Sequence, residues 1–161
     1  MWPYLLTASV LIGAGAGVVT GLSKRGTPAP QHSVPVTRTP SVAAQFAASE
    51  NTISVARIAL TTGLDSLQGV PTVAAMVPVV SPYMGALQKY SADLAAIPWP
   101  ENLAGASESL RAQVDAFAAF LQTLQGVRPL ALGSWFSELH ARAFAMTVAA
   151  VRLRSQLGLP S

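Results

Sequence analysis

Few side chains in this chain are able to do chemistry, and their spacing is against most of it. Among 161 residues there are two histidines, seven acids and no cysteine. His32 stands among prolines, serines and threonines, and His140 lies in an apolar stretch with Phe136 and Phe144 four residues to either side. Acid–base or nucleophilic catalysis needs a base within hydrogen-bond reach of a nucleophile. Glu138 and His140 are two apart, so on a helix they point to different sides and cannot chelate one ion. No Glu-x-x-His or His-x-x-x-His spacing occurs. Gly105–Ser109 (GASES) is only superficially like a G-x-S-x-G elbow, lacking the second glycine and a preceding strand. Without cysteine there are no disulfides, thiolate metal sites, cysteine nucleophiles or acylated N-terminal cysteine. Met84, Met146, Tyr83, Tyr90 and His140 are residue types that ligate haem iron in a bundle. With no C-x-x-C-H and no paired histidine, they read as core packing and a helix-boundary histidine. The expectation is a non-enzymatic protein with no cofactor and no metal.

Charge distribution removes a second class. The net charge of +3 comes from Lys24, Arg25 and Arg38. From Ser41 onward seven basic residues (Arg57, Lys89, Arg111, Arg128, Arg142, Arg152, Arg154) balance seven acids (Glu50, Asp65, Asp93, Glu101, Glu108, Asp115, Glu138). A nucleic-acid binder concentrates cations on the domain that reads the polymer, and this chain does not. At 51% hydrophobic and 11% charged, the composition is that of a folded chain and not a disordered one.

The elements that position these residues begin with an uncharged run, Trp2–Leu22 (WPYLLTASVLIGAGAGVVTGL). At a helical rise of about 1.5 Å per residue it is just long enough to cross a bilayer core. Gly13, Gly17 and Gly21 recur every four residues and share one helix face, a smooth strip that lets another transmembrane helix approach closely. As a nucleotide loop the run fails, because G-x-G-x-x-G needs glycine at Val18 or Thr20 and no βαβ pattern follows. Trp2 and Tyr4 suit one membrane interface. Ala14-Gly15-Ala16 is also a small-residue signal-peptidase site, whose use would leave a soluble mature protein. Continuation of the apolar run to Leu22, and the lack of basic residues before it, favour an uncleaved single-pass anchor. Lys24 and Arg25 point the following domain to the cytoplasm. The proline-rich stalk Gly26–Pro40 (GTPAPQHSVPVTRTP) is instead the makeup of a spacer holding an exported domain off the membrane. The expected organisation is an anchor over 1–23, a basic Pro/Thr-rich linker over 24–40 and a helical bundle over 41–161, extracytoplasmic, at the cell membrane.

Four helices are expected in the bundle. The first starts with Thr39 as cap and Pro40 at its first position and runs to about Gln68, stopped by Gly69. Phe46, Ser49, Ile53, Ala56, Leu60 and Leu67 form its inner stripe. Gly69–Pro82 contains three prolines and reads as an apolar connector. A second helix starts with Ser81 as cap and carries Tyr83, Leu87, Tyr90, Leu94 and Ile97. Pro98-Trp99-Pro100 makes a corner, with Trp99 as a lid on the core. The third helix spans Glu101–Gln125, closed by Gly126, and the fourth spans Ser134–Leu157, closed by Gly158. Glu138–Arg142 and Glu108–Arg111 are expected as outer-face pairs. No strand alternation or internal repeat is present. The economical packing is an all-α antiparallel four-helix bundle.

The low-charge Ala/Leu-rich helices, and above all Tyr90–Leu124 (YSADLAAIPWPENLAGASESLRAQVDAFAAFLQTL), resemble the small membrane-anchored or exported helical proteins of high-GC Gram-positive bacteria. The resemblance covers roughly the last three-quarters of the chain and implies a compartment more than an activity. Two functions are expected. In the first, the chain is an accessory or scaffold subunit that docks its glycine face into an integral membrane protein complex while the bundle contacts partner domains. The alternative is an exported carrier that holds a lipid or other apolar ligand, with Trp99, Phe117, Phe120, Trp135 and Phe144 as the ligand or partner surface.

Overall fold

The computed structural model describes residues 40–160 apart from Gln68 and Val70. The expected anchor and nearly all of the stalk, with Gly13, Gly17 and Gly21, lie outside the described residues. Four long helices follow in order: α1 (Val42–Asp65), α2 (Val73–Ala96), α3 (Glu101–Gln122) and α4 (Leu132–Gln156). Two short 3₁₀ turns, Thr123–Gly126 and Pro129–Ala131, join α3 to α4. There is no strand among the described residues, so the all-helical class expected from the sequence is the class observed. None of the described helices is long and apolar enough to cross a membrane.

α1 starts two residues later than its Thr-Pro signal suggests. Ser41 is the cap, its hydroxyl accepting from the Ala44 amide at 3.2 Å, while the Gln45 side chain donates to the Pro40 carbonyl at 2.8 Å. Phe46, Ser49, Ile53 and Leu60 are buried as the stripe predicts. The helix ends at Asp65, and Gly69 follows with φ 75°, a left-handed conformation that favours glycine.

α2 is the principal correction. Gly69–Pro82 is not a connector, and Ser81 is not a cap. The helix is continuous from Val73, capped by Thr72, with Pro78 and Pro82 inside it. Each proline removes a donor, so the carbonyls four residues earlier, on Ala74 and Pro78, lose their usual helical partner. An interior proline costs about 3 kcal/mol. The apolar stripe supplies the compensation: Met76 and Val80 extend Tyr83, Leu87, Tyr90 and Leu94 backwards in unbroken four-three spacing, and all six are buried. At about 1.5–3 kcal/mol per large buried side chain, those two residues offset a proline, and both proline rings sit on the exposed side. The Ser81 hydroxyl donates back to the Val77 carbonyl at 2.8 Å.

The corner at Pro98–Pro100 forms as expected. Trp99 is half-buried, its indole N–H donating to the Leu94 carbonyl at 2.8 Å and its ring meeting Phe46 edge-on with centroids 5.8 Å apart. α3 opens at Glu101 and passes into the 3₁₀ turn three residues before its expected end. α4 begins at Leu132, two residues early, and ends in a Schellman motif. The Leu159 amide donates to the Arg154 carbonyl at 3.0 Å and Gly158, at φ 68°, to Ser155 at 3.1 Å.

Contacts fix the helix directions. Gly63 near the end of α1 meets Val79 near the start of α2. Tyr83 of α2 meets Phe117 of α3, and Phe120 near the end of α3 meets Trp135 at the start of α4. Successive helices therefore run antiparallel, and α1 and α4, whose backbones approach at few points, are joined by Glu50 and Arg154. At Gly63 a Cβ would fall 2.6 Å from a Val79 methyl. Gly63→Ala gains up to about 1 kcal/mol of helix propensity but overpacks a stiff β-branched neighbour at about 1–3 kcal/mol. Urea unfolding is expected to show a net loss for Gly63→Ala, turning to a gain in a Val79→Ala background. A gain in both backgrounds would contradict the close approach.

Candidate functional site

The five aromatic residues expected to share a surface are separated by the packing. Phe117 is 1% exposed, inside the core against Tyr83 (centroids 5.8 Å, edge-on). Trp99 belongs to the corner between α2 and α3, packed on Phe46 of α1. Phe120 and Trp135 do come together, stacked at 5.1 Å with planes 20° apart, and Phe136 packs edge-on to Trp135 at 5.6 Å. The Trp135 indole N–H donates to the Thr123 hydroxyl at 3.3 Å. Arg142 lies over the outer face of this stack, its guanidinium carbon 5.1 Å from the Phe120 centroid. It pairs with Glu138 at 2.8 Å, as the sequence predicts. The stack ties α4 to the end of α3, with the cation held over a ring face as its quadrupole favours. Phe144 stands apart on the outside of α4, 70% exposed.

Two open clefts are found, neither lined by any of these five aromatics. One of about 250 Å³ lies between α2 and the end of α3, bordered by Val77, Met84, Gln122 and Gln125. The other, about 240 Å³, lies between α1 and α2 around Ala56, Gly63, Pro78 and Pro82.

A polar node missed in the sequence joins α1 and α4. Glu50 and Arg154 form a hydrogen-bonded ion pair across 104 residues of chain, with side chains only 15% and 27% exposed. Arg154 also donates through Nε to the Pro160 carbonyl at 3.1 Å, holding the chain's last turn against the bundle. Burial pushes the Glu50 carboxyl above its usual range, against the opposing pull of Arg154 and, more weakly, Arg57. Tyr90, on α2, is buried, with no hydrogen-bond partner for its hydroxyl among the described residues. The signal available in the sequence was indirect: Glu50 and Arg154 stand next to Ser49 and Leu153 of the inner stripes, at about 100° round the helix, which brings each to the edge of its stripe. Lys89–Asp93, at 2.6 Å on exposed α2, is an ordinary i, i+4 pair.

Two buried tyrosines of α2, Tyr83 and Tyr90, carry a pH signature of their own. Burial pushes the Tyr83 hydroxyl up to about 12 and Tyr90 further in the same direction. A phenol whose folded value is raised binds its proton more tightly when folded. Its contribution is complete below the ordinary value of 10.0 and is lost as pH rises through the window from there to about 12. Alkaline titration is expected to produce tyrosinate absorbance from Tyr83 and Tyr90 only in step with loss of helical circular dichroism. Their ionisation near the ordinary value with helicity intact would contradict this burial.

The histidine and the GASES serine are held in local helix contacts. His140 is exposed, its Nδ1 2.8 Å from the Phe136 carbonyl. Ser107 of GASES sits inside α3, its hydroxyl donating to the Ala104 carbonyl at 2.8 Å. No group of three or more histidines and carboxylates able to hold a metal occurs among the described residues. The chain matches no family model, no curated protein and no solved structure. Fold and geometry together define a charge-poor four-helix bundle that offers faces and seams.

Proposed function

We propose that this protein is a non-enzymatic, single-pass membrane accessory subunit that works by contact. Trp2–Leu22 is the anchor, the proline-rich stalk is the spacer, and the bundle meets partner domains on the extracytoplasmic side. The observation that carries the reading is the anchor's pattern, an uncharged run of bilayer length with glycine at 13, 17 and 21. The bundle supports it in two ways. Its interior is filled by side chains packed on one another, and Ser107 and His140 are engaged with backbone carbonyls.

Gly13→Leu with Gly17→Leu fills the smooth strip and removes close helix approach without reducing hydropathy. The double variant is expected to stay in the membrane fraction yet be lost from the detergent-solubilised complex that retains the wild type. Undiminished co-purification would count against the packing face.

A further inference from the structure

Exposed large apolar side chains are confined to one side of the bundle among the described residues. Leu130 stands in the α3–α4 connection, and the other four, Val55, Ile58, Phe144 and Val151, lie on α1 and α4. On α4 they belong to a stripe with heptad spacing: Ser137, Ala141, Phe144, Val148, Val151 and Ser155 step four-three-four-three-four. None of the six is charged, and all are exposed or half-buried. α1 carries a matching stripe, Asn51, Val55, Ile58, Thr62 and Asp65, exposed throughout. Glu50 and Arg154 mark the edges by which α1 and α4 face one another. At about 100° per residue, each stripe is centred about 100° round its helix from that edge, on the side away from the core. The two stripes therefore share one outer face. Heptad spacing of uncharged residues is the pattern by which one helix pairs with another.

Symmetry says what the face fits. The α4 stripe reads the same in both directions about Met146, and the α1 stripe does so about Ile58 to within one residue. Both centres lie the same distance from the Glu50–Arg154 pair, about 12 Å along the bundle. One two-fold axis crossing both helices at that level turns each stripe onto itself, as an isologous contact between two copies demands. It sets Phe144 against Val148 of the second copy and Ala141 against Val151, larger beside smaller each time, while Ile58 meets its own equivalent. Charge agrees with this direction. Arg152 is exposed and has no ion-pair partner among the described residues. It shares with Glu138 the flank of α4 turned away from α1, and the axis brings it to within about 3 Å of level with Glu138 of the second copy. Asp65 falls opposite Asn51, whose amide donates to a carboxylate. An axis along the helices would instead lay α1 on α4 of the second copy and set Asp65 level with Glu138, like charge beside like. Two helices, each about 10 Å wide and in contact for about 25 Å, offer roughly 500 Å², against about 800 Å² per partner in a standard interface. Such a pair is reversible, and the dilute chain is a monomer.

We propose that the α1–α4 face is a two-fold interface on which a second copy of this chain docks antiparallel. Its test uses the full chain in detergent, with micelles in excess over chains. Because the chain has no cysteine, Ile58→Cys places a single thiol at the axis, and Ser109→Cys, exposed on α3, is the reference. Mild oxidation is expected to give a disulfide-linked dimer several-fold faster at 58 than at 109. Association through any other part of the chain does not favour 58. Arg152→Glu and Glu138→Arg are then introduced separately beside Ile58→Cys. Each alone is expected to lose the excess at 58, since it sets like charges across the axis, with helical circular dichroism unchanged. Mixing the two variants is expected to restore it, because a mixed pair has opposite charges at both contacts. Equal cross-linking at 58 and 109 overturns the face. A dimer at 58 that responds to neither charge change overturns the antiparallel register. A thiol at 58 that phospholipid vesicles shield from maleimide, with no cross-linked dimer, assigns the face to a bilayer and likewise overturns the proposal.

Discussion

Phe117→Ala is expected to lower stability by about 3–5 kcal/mol, the range for removing a large aromatic from a close-packed interior. Phe117 is 1% exposed and sits mid-bundle on α3, edge-on to Tyr83 of α2. Truncation removes its own burial and also an aromatic pair that joins two helices. Tyr83, itself 2% exposed and held on α2, has little room to collapse into the space left behind. Phe144→Ala is the matched control: the same atoms are deleted at a position 70% exposed, where the expected change stays within about 0.5 kcal/mol. Urea unfolding followed by circular dichroism separates them. Equal losses would mean that the observed burial does not describe the folded protein.

Arg154→Ala is expected to cost about 2–3 kcal/mol, and the loss should be recoverable by a second substitution. Removing Arg154 strands Glu50, only 15% exposed, and releases the Pro160 carbonyl. Breaking one side of a buried pair is far more damaging than replacing both. Glu50→Leu with Arg154→Leu is therefore expected to restore most of the loss, because burial already outweighs the attraction of Arg154 in setting the Glu50 carboxyl's raised proton affinity. That raised value also fixes the sign of the pH effect. The folded state binds the Glu50 proton more tightly than the unfolded chain, so Glu50's contribution is greatest below its ordinary value of 4.5 and falls as pH rises through the raised one. Arg154→Ala, which removes a group lowering that value, should regain stability on mild acidification. A pH-independent deficit, or a double variant no better than the single, would sink this account of the node.

Local periodicity made most of the bundle legible. The stripes from Phe46 to Leu60 and from Tyr83 to Ile97 name side chains that are buried or half-buried in the core, and Gly158 and the Trp99 corner mark real breaks. α2 was cut short because Pro78 and Pro82 are local signals, whereas the burial of Met76 and Val80 that outweighs them is tertiary. The same limit hid Glu50–Arg154, whose partners are distant in sequence. The aromatic set divided for a related reason. Residue type says that Phe117, Phe120 and Phe144 are apolar, but only helix rotation decides that one is core, one stacks on Trp135 and one is exposed.

The measurement closest to the central claim is the mass and membrane behaviour of the mature chain from native cells. Intact-mass analysis of the fraction that resists alkaline carbonate extraction is expected to find the polypeptide with Trp2–Leu22 retained. A chain shortened near Ala16 and recovered in the carbonate-soluble fraction would contradict the anchored contact module.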